Sequence, residues 1–347
     1  MTGRYAVGSM FAGIGGICLG FKEAGADVVW ANEIDHSACE TYRLNFDGAP
    51  YLVEGDIHDI SPGPNVCFDI VAAGFPCQAF SVAGYRKGFE DARGTLFFEV
   101  LRIIREKEPR TVFLENVKNL MTHDGGRTYS VIRSCLEGEG YAVTERVLNT
   151  MEYGGIPQNR ERIYVVAFKK RADGSSPEMD AFRFPEPEKL EKGIHDLIDV
   201  HEKKPESLYY RPDHPYYQKL DEAMTNPDTV YQWRRVYVRE NKSNVCPTLT
   251  ANMGTGGHNV PIIRDDFGIR KLTPEECLRF QGFPERFSFP KMANSHKYKQ
   301  AGNSVSVPVI RRIAENIISA MRYADHEGLG VCVSGPADTD KIPETAE

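Results

Sequence analysis

Two residues in this chain could carry covalent and acid–base chemistry at one place. Cys77 follows Gly74-Phe75-Pro76, directly after the apolar run Phe68-Asp69-Ile70-Val71-Ala72-Ala73. Such a run makes a buried parallel strand, and Pro76 fixes φ and ends it. A thiol left at a strand end in an open α/β sheet lies where ligands bind. It serves as a nucleophile once a neighbour assists it or lowers its pKa. A second apolar run, Thr111 to Leu114, ends in Glu115-Asn116 and brings a carboxyl group to the same sheet edge. That carboxyl can protonate or hydrogen-bond a ring nitrogen of a substrate. The plainer readings are a small buried apolar cysteine and a salt-bridged or capping glutamate. Arg160 and Arg162 alternate at strand spacing before Ile163 to Phe168, so both point the same way. They could hold anionic or carbonyl groups, or simply be solvated.

The elements that must position these groups begin at Tyr5. A strand to Phe11 runs into the Gly-rich turn Phe11-Ala12-Gly13-Ile14-Gly15-Gly16, then a helix over Ile17 to Ala24, then a strand ending in Asn32-Glu33. This is a β-turn-α-β unit with an acidic residue about twenty positions after the first Gly, as a nucleotide site needs. Glu33 can accept from two ribose hydroxyls. Cys18 stands where the third Gly of the dinucleotide fingerprint belongs, and a tight turn without a ligand would give the same pattern. Asp56 follows a third short strand beside the same cleft. It suits an adenine amino group or a turn cap.

The remaining chain reads as follows. Gln78 to Thr95 is a long polar, Gly-rich segment suited to a lid. Helices are expected over Leu96–Lys107, Tyr129–Gly138 and Thr273–Gln281, and from Val307 to about Met321. The Pro-rich stretch Lys169–Lys192 marks a domain boundary. Beyond it, Tyr231 to Arg239 reads as a basic, aromatic strand and Thr248 to His258 as a Gly-rich loop. Both suit a nucleic-acid surface, or an ordinary amphipathic edge strand and loop. The tail from Ala324 is acidic and reads as disordered.

Bulk properties set limits. The 347 residues suffice for one large domain and a smaller one. The eight cysteines show no C-x-x-C pair and no zinc spacing, so no metal is expected and the thiols read as reduced, in a cytoplasmic protein. No apolar run has the length of a membrane span. The net charge of −7 argues mildly against nucleic acid, although a local basic face is compatible with it.

As a set, the motifs resemble those of the DNA (cytosine-5) methyltransferases, above all the single-chain bacterial restriction–modification type. FAGIGG at Phe11, GFPCQAFS at Gly74, ENV at Glu115, QNRERIY at Gln158, RKLTPEECLRFQGFP at Arg270 and YKQAGNSV at Tyr298 stand in the family's order. The resemblance runs from Val7 to Arg322. It implies a Rossmann-like S-adenosylmethionine-dependent domain, with a mixed, mostly parallel sheet, over 1–185 plus 300–323. A smaller, irregular target-recognition domain would span 186–299, with a tail over 324–347. It implies cofactor contacts from Phe11, Gly13, Gly15, Glu33, Ile34, Asp56, Ile57, Gly74, Pro76, Leu96, Asn303, Ser304 and Val305, with S-adenosyl-L-homocysteine as product. Cys77, Glu115, Arg160 and Arg162 would be catalytic. Gln78, Ser81, Arg86, Lys87, Arg234, Arg235, Arg239, Thr248, Gly256 and Gly257 would face double-stranded DNA. Ala83 stands where a second serine occurs in the loop of a related enzyme, which affects a loop contact only.

The implied reaction explains the residue types. Attack of the Cys77 thiolate on C6 of cytosine converts a poor carbon nucleophile at C5 into an enamine. Glu115 stabilises the charge at N3, and the base must be flipped out of the duplex. The resemblance further implies a monomer, with a cognate restriction endonuclease as a functional partner. Three other readings compete. A transfer-RNA methyltransferase of the same family would have a smaller recognition region than Leu197 to Ile269. An NAD-dependent oxidoreductase leaves Cys77, Glu115 and the Asn303 block unexplained. A non-catalytic DNA-binding module predicts a damaged nucleophile or acid, yet both are present.

Overall fold

The computed structural model describes residues 4–76, 96–241, 244–255 and 259–328. Cys77, the expected lid with Gln78, Ser81, Arg86 and Lys87, the glycines Gly256 and Gly257, and the tail beyond 328 lie outside the described residues.

Seven strands form the main sheet. They are β1 (Ala6–Met10), β2 (Asp27–Glu33), β3 (Leu52–Glu54), β4 (Ile70–Ala73), β5 (Thr111–Val117), β6 (Tyr141–Asn149) and, after the two-residue β7 (Gln158–Asn159), β8 (Glu161–Lys169). The order is β3-β2-β1-β4-β5-β8-β6. β1 to β5 are mutually parallel, and β8 runs antiparallel to both of its neighbours. Every residue of β4 is buried, as a strand covered by helices on both faces requires. The strand order reverses between β1 and β4, which opens a crevice at their carboxyl ends. Both the Gly-rich turn and Gly74 leave the sheet there.

Helices Gly16–Glu23, His36–Asn45, Leu96–Lys107 and Arg127–Gly138 cover the sheet. The C-terminal helix Val307–Gly328 returns to pack on the first of them. It continues past Met321, which corrects the expected start of the tail at Ala324. Its apolar stripe includes Ile310, Ile313, Ala314, Ile317, Met321 and Ala324, all buried. Asp325 accepts a hydrogen bond from the Tyr5 hydroxyl (2.6 Å) and pairs with Arg110 (2.9 Å). The acidic composition concealed one more helical turn.

A second, antiparallel sheet holds β9 (Tyr209–Tyr210), β10 (Tyr231–Arg234), β11 (Tyr237–Glu240), β13 (Ile262–Asp265) and β14 (Gly268–Lys271), in the order β11-β10-β13-β14-β9. It has its own core of Tyr210, Leu220, Met224, Tyr231, Trp233, Ile262 and Ile269. The run read as one strand over Tyr231–Arg239 is in fact a hairpin. Its turn falls at Arg235-Val236, with Arg235 left-handed (φ 53°). Between the two sheets, β12 (Cys246–Pro247) pairs in parallel with β7.

Buried charge fastens the second sheet. Arg270 is fully buried, and its guanidinium donates to both oxygens of Glu276 (2.8 Å each) and to Asp265 (2.6 Å). Glu276 also completes a capping box with Thr273 at the start of helix Pro274–Phe280. Strand β14 and that helix are thereby locked to one another.

Candidate active site

A cleft of about 790 Å³ opens at the switch point. One half is built from the first two strand ends. Phe11, Gly13 and Gly15 all have positive φ (54°, 55° and 94°). At Gly15 a Cβ would lie 2.4 Å from the Phe46 ring, so only glycine fits that turn. Phe11 holds a left-handed conformation that costs a non-glycine residue energy, at a position that lines the cleft. The turn is folded onto Glu33. Gly13 N–H donates to Glu33 Oε2 (2.8 Å), and the N–H groups of Ile34 and Asp35 donate to Oε1 (2.9 and 2.8 Å). The carboxylate is thus aimed by main chain, with an acceptor position left on Oε2. Ile34 is 62% exposed at the cleft wall, an apolar surface for a planar ring. Asp56 lines the cleft and also caps the turn after β3, accepting from His58 N–H (3.0 Å). The turn-cap reading of Asp56 is thus seen directly, at a position on the cleft wall.

The other half is built from β4, β5 and β8. Glu115 pairs with Tyr164, and Val117 with Arg162, across the β5–β8 ladder. Residues two apart share a face, so Glu115 and Arg162 meet on one side of the sheet. Arg162 Nε lies 3.3 Å from Glu115 Oε1. Glu115 is only 7% exposed, and Oε1 has no hydrogen-bond partner. Burial pushes its carboxyl above the usual range, opposed by Arg162 and Arg160. This is the condition in which a carboxyl group can carry a proton for transfer. Asn116 Nδ2 donates to Phe75 O (2.9 Å), which fixes the chain just before Cys77.

Arg160 and Arg162 both line the cleft but work differently. Arg160 is buried, donating to Leu249 O (2.9 Å) and Ser304 O (2.5 Å). One guanidinium thus joins β8, the segment after β12 and the C-terminal wall. Burial, with repulsion from Arg162, lowers its pKa to about 9. The far wall includes Leu249, Thr250, Lys299, Asn303, Ser304 and Val305. Helix Asn294–Asn303 reaches it closely: at Gly302 a Cβ would stand 2.2 Å from Thr250 main chain. Gly74, Pro76, Ile57 and Leu96 complete the lining.

The structure thus brings together all thirteen expected cofactor residues except Gly15, which lies behind the lining in the turn. Asn116, Asn32, Asp35, Lys299 and Gln300 were not singled out beforehand. Asn32 donates to Val53 O and Gly55 O and ties β2 to β3. A buried amide next to each strand-end carboxylate (Asn32-Glu33, Glu115-Asn116) was the available signal. Thr248 donates its hydroxyl to Asn159 O (2.7 Å), so that proton is engaged inside the molecule. Arg235 and Arg239 on the hairpin are exposed and have no carboxylate partner among the described residues, while Arg234 bonds only Gln232.

The crevice, the Gly-rich turn over a strand-end carboxylate and a buried acid beside an arginine are features found in nucleotide-binding α/β enzymes. The match to known proteins is narrower: residues 5–319 fit the C-5 cytosine-specific DNA methylase family, and the chain belongs to that family. It is 54% identical over 318 residues to the type II methyltransferase M.Bsp6I of Bacillus sp. (strain RFL6), covering 91% of this chain and 99% of that protein. It is 39% identical over 334 residues to M.HhaI of Haemophilus parahaemolyticus, covering 90% and 94%. A solved DNMT2 from Spodoptera frugiperda, in mutant form, shares the fold at a TM-score of 0.68 and 18% identity, covering 91% of this chain and all of that one. The chain is a DNA cytosine-5 methyltransferase. No helix among the described residues is long and apolar enough to cross a membrane.

Proposed function

We propose that this enzyme methylates C5 of a cytosine flipped out of a short, specific double-stranded sequence, through a covalent bond between Cys77 and C6. The observation that carries this reading is Glu115. It is buried 3.3 Å from Arg162, its carboxyl pushed above the usual range by that burial, on the strand edge next to the segment that leads into Cys77. The donor set fits S-adenosylmethionine: a main-chain-aimed carboxylate for a ribose, Ile34 for the adenine face and Asp56 for its amino group. When bound, that cofactor supplies an electrophilic methyl group.

The residues divide the work as follows. The Cys77 thiolate forms the S–C6 bond, and the C5=C6 electrons move toward N3, where Glu115 delivers its proton. The resulting enamine carbon, C5, would take the methyl group from the sulfonium, whose S–CH3 bond electrons stay on sulfur so that S-adenosylhomocysteine leaves. A base removes the C5 proton, the S–C6 bond breaks, the C5=C6 bond re-forms and Glu115 recovers the N3 proton. Arg162 orients Glu115, while Arg160 holds the walls of the cleft in place. A flipped base is required because a stacked one cannot reach these groups.

The second sheet supplies the DNA surface. At the tip of its hairpin Val236 is 74% and Tyr237 58% exposed, flanked by Arg235 and Arg239. A two-stranded ribbon fits the major groove, where an arginine reads guanine and an apolar group reads a thymine methyl. At its base Trp233 stacks on Tyr216 (4.1 Å, 13°). The domains proposed are 1–185 with 300–328, and 186–299. The enzyme acts as a monomer in the bacterial cytoplasm, protecting DNA from a cognate endonuclease.

The test is Cys77→Ser, assayed for methyl transfer and for S-adenosylhomocysteine binding. The expected result is no transfer with binding kept. Continued turnover would rule out the covalent route.

A further inference from the structure

A clamp outside the reactive half of the cleft has no role in the chemistry above. Lys299 Nζ lies 2.7 Å from Asp35 Oδ2, and both residues line the cleft. The other oxygen of Asp35 caps helix His36–Asn45, accepting from Ser37 N–H (3.0 Å) and Ala38 N–H (3.3 Å). The Asp35 N–H in turn donates to Glu33 Oε1 (2.8 Å). Gln300, beside Lys299, donates to Ser37 Oγ (3.1 Å) and accepts from Thr41 Oγ1 (2.8 Å). Further down that helix, Asn45 and Ser288 exchange two hydrogen bonds (2.8 and 3.0 Å). A segment from the far end of the chain therefore grips the helix that begins at the Glu33–Asp35 turn.

We propose that Lys299 is a positioning residue for the cofactor: through Asp35 it holds the Glu33–Asp35 turn in its binding geometry. The inference rests on the S-adenosylmethionine reading of the cleft. Its physical basis is preorganisation. A turn ordered before the ligand arrives does not have to be ordered by it. Lys299 is half-exposed, so the effect belongs to the range of exposed ion pairs and weakens as salt rises.

The experiment is a double-mutant cycle read by calorimetric titration with S-adenosylhomocysteine. Asp35→Asn keeps a helix cap, since asparagine caps as well as aspartate, but removes the charge. Lys299→Met removes the other partner. Each single variant is expected to weaken binding about three- to five-fold, and the double variant no further. Lys299→Arg restores affinity. In steady state the loss falls on KM for S-adenosylmethionine, not on kcat. Wild-type affinity in both single variants overturns the proposal, even if they melt lower. So do multiplying effects in the double variant, which would mean Lys299 touches the ligand itself. Failure of the wild-type enzyme to bind S-adenosylhomocysteine is a different result, and overturns the cofactor reading on which the proposal rests.

Discussion

The two sheets present contrasting surfaces. At the edge of the parallel sheet Glu33, Arg160 and Glu115 each already have a partner. Glu33 is held by three main-chain N–H groups, Arg160 by two carbonyls and Glu115 by Arg162. On the hairpin of the antiparallel sheet, Arg235 and Arg239 are exposed without carboxylate partners among the described residues, beside a bare Val236. A reacting geometry demands groups that are ordered in advance. A surface that meets a polyanion demands groups still free to pair. The acidic net charge of −7 averages over both and describes neither.

This contrast can be broken from either side. The largest effect is expected at the parallel edge. Glu115→Gln should lower kcat by about 10²–10⁴-fold with DNA binding kept, measured by single-turnover methyl transfer and by titration. The same variant should melt no lower than wild type near neutral pH. Glu115 has a raised folded-state pKa, so its ionised form costs the fold stability once pH exceeds the ordinary carboxylate value, and no cost remains below it. The variant's advantage should therefore grow from acidic to neutral pH. An advantage that shrinks over that interval would mean the charge is well compensated.

The next effect belongs to the scaffold of the second sheet. Arg270→Met leaves Asp265 and Glu276 buried without their partner. It should cost about 3–5 kcal/mol in urea unfolding. A change within ~1 kcal/mol would show that the network relaxes. Arg160→Lys loses the fork that spans Leu249 O and Ser304 O. It should cost about 1–3 kcal/mol and weaken binding of S-adenosylhomocysteine. Unchanged values would return Arg160 to a purely reactive role. The smallest effect is expected on the hairpin flank, where Arg239→Ala should reduce the slope of log affinity against log salt by about one. An unaltered slope would remove Arg239 from the phosphate contacts.

How much of this was legible beforehand differed between the same two regions. The parallel edge is written locally. Short apolar runs end in Asn32-Glu33, Gly74-Phe75-Pro76 and Glu115-Asn116, and the strands lie where those runs are. The second sheet is not. Arg235 turns left-handed with no glycine or asparagine to announce it, so the hairpin read as one strand. The pairing of β7 with β12 joins Gln158 to Cys246, and the Lys299–Asp35 bridge spans most of the chain. Neither leaves a periodic trace. Asp325 was misjudged because composition favoured a tail, while the partners that keep it helical, Tyr5 and Arg110, are far away in sequence.

The central claim is that the parallel edge sets the reaction and the hairpin selects the sequence. Base-resolution mapping of 5-methylcytosine on unmethylated genomic DNA tests it, using the wild-type enzyme beside an Arg235→Ala, Val236→Ser variant. The account predicts that wild type marks one short sequence. The variant should still methylate C5, but at several related sequences. An unchanged target in the variant, or methyl groups elsewhere than C5 of cytosine, would contradict it.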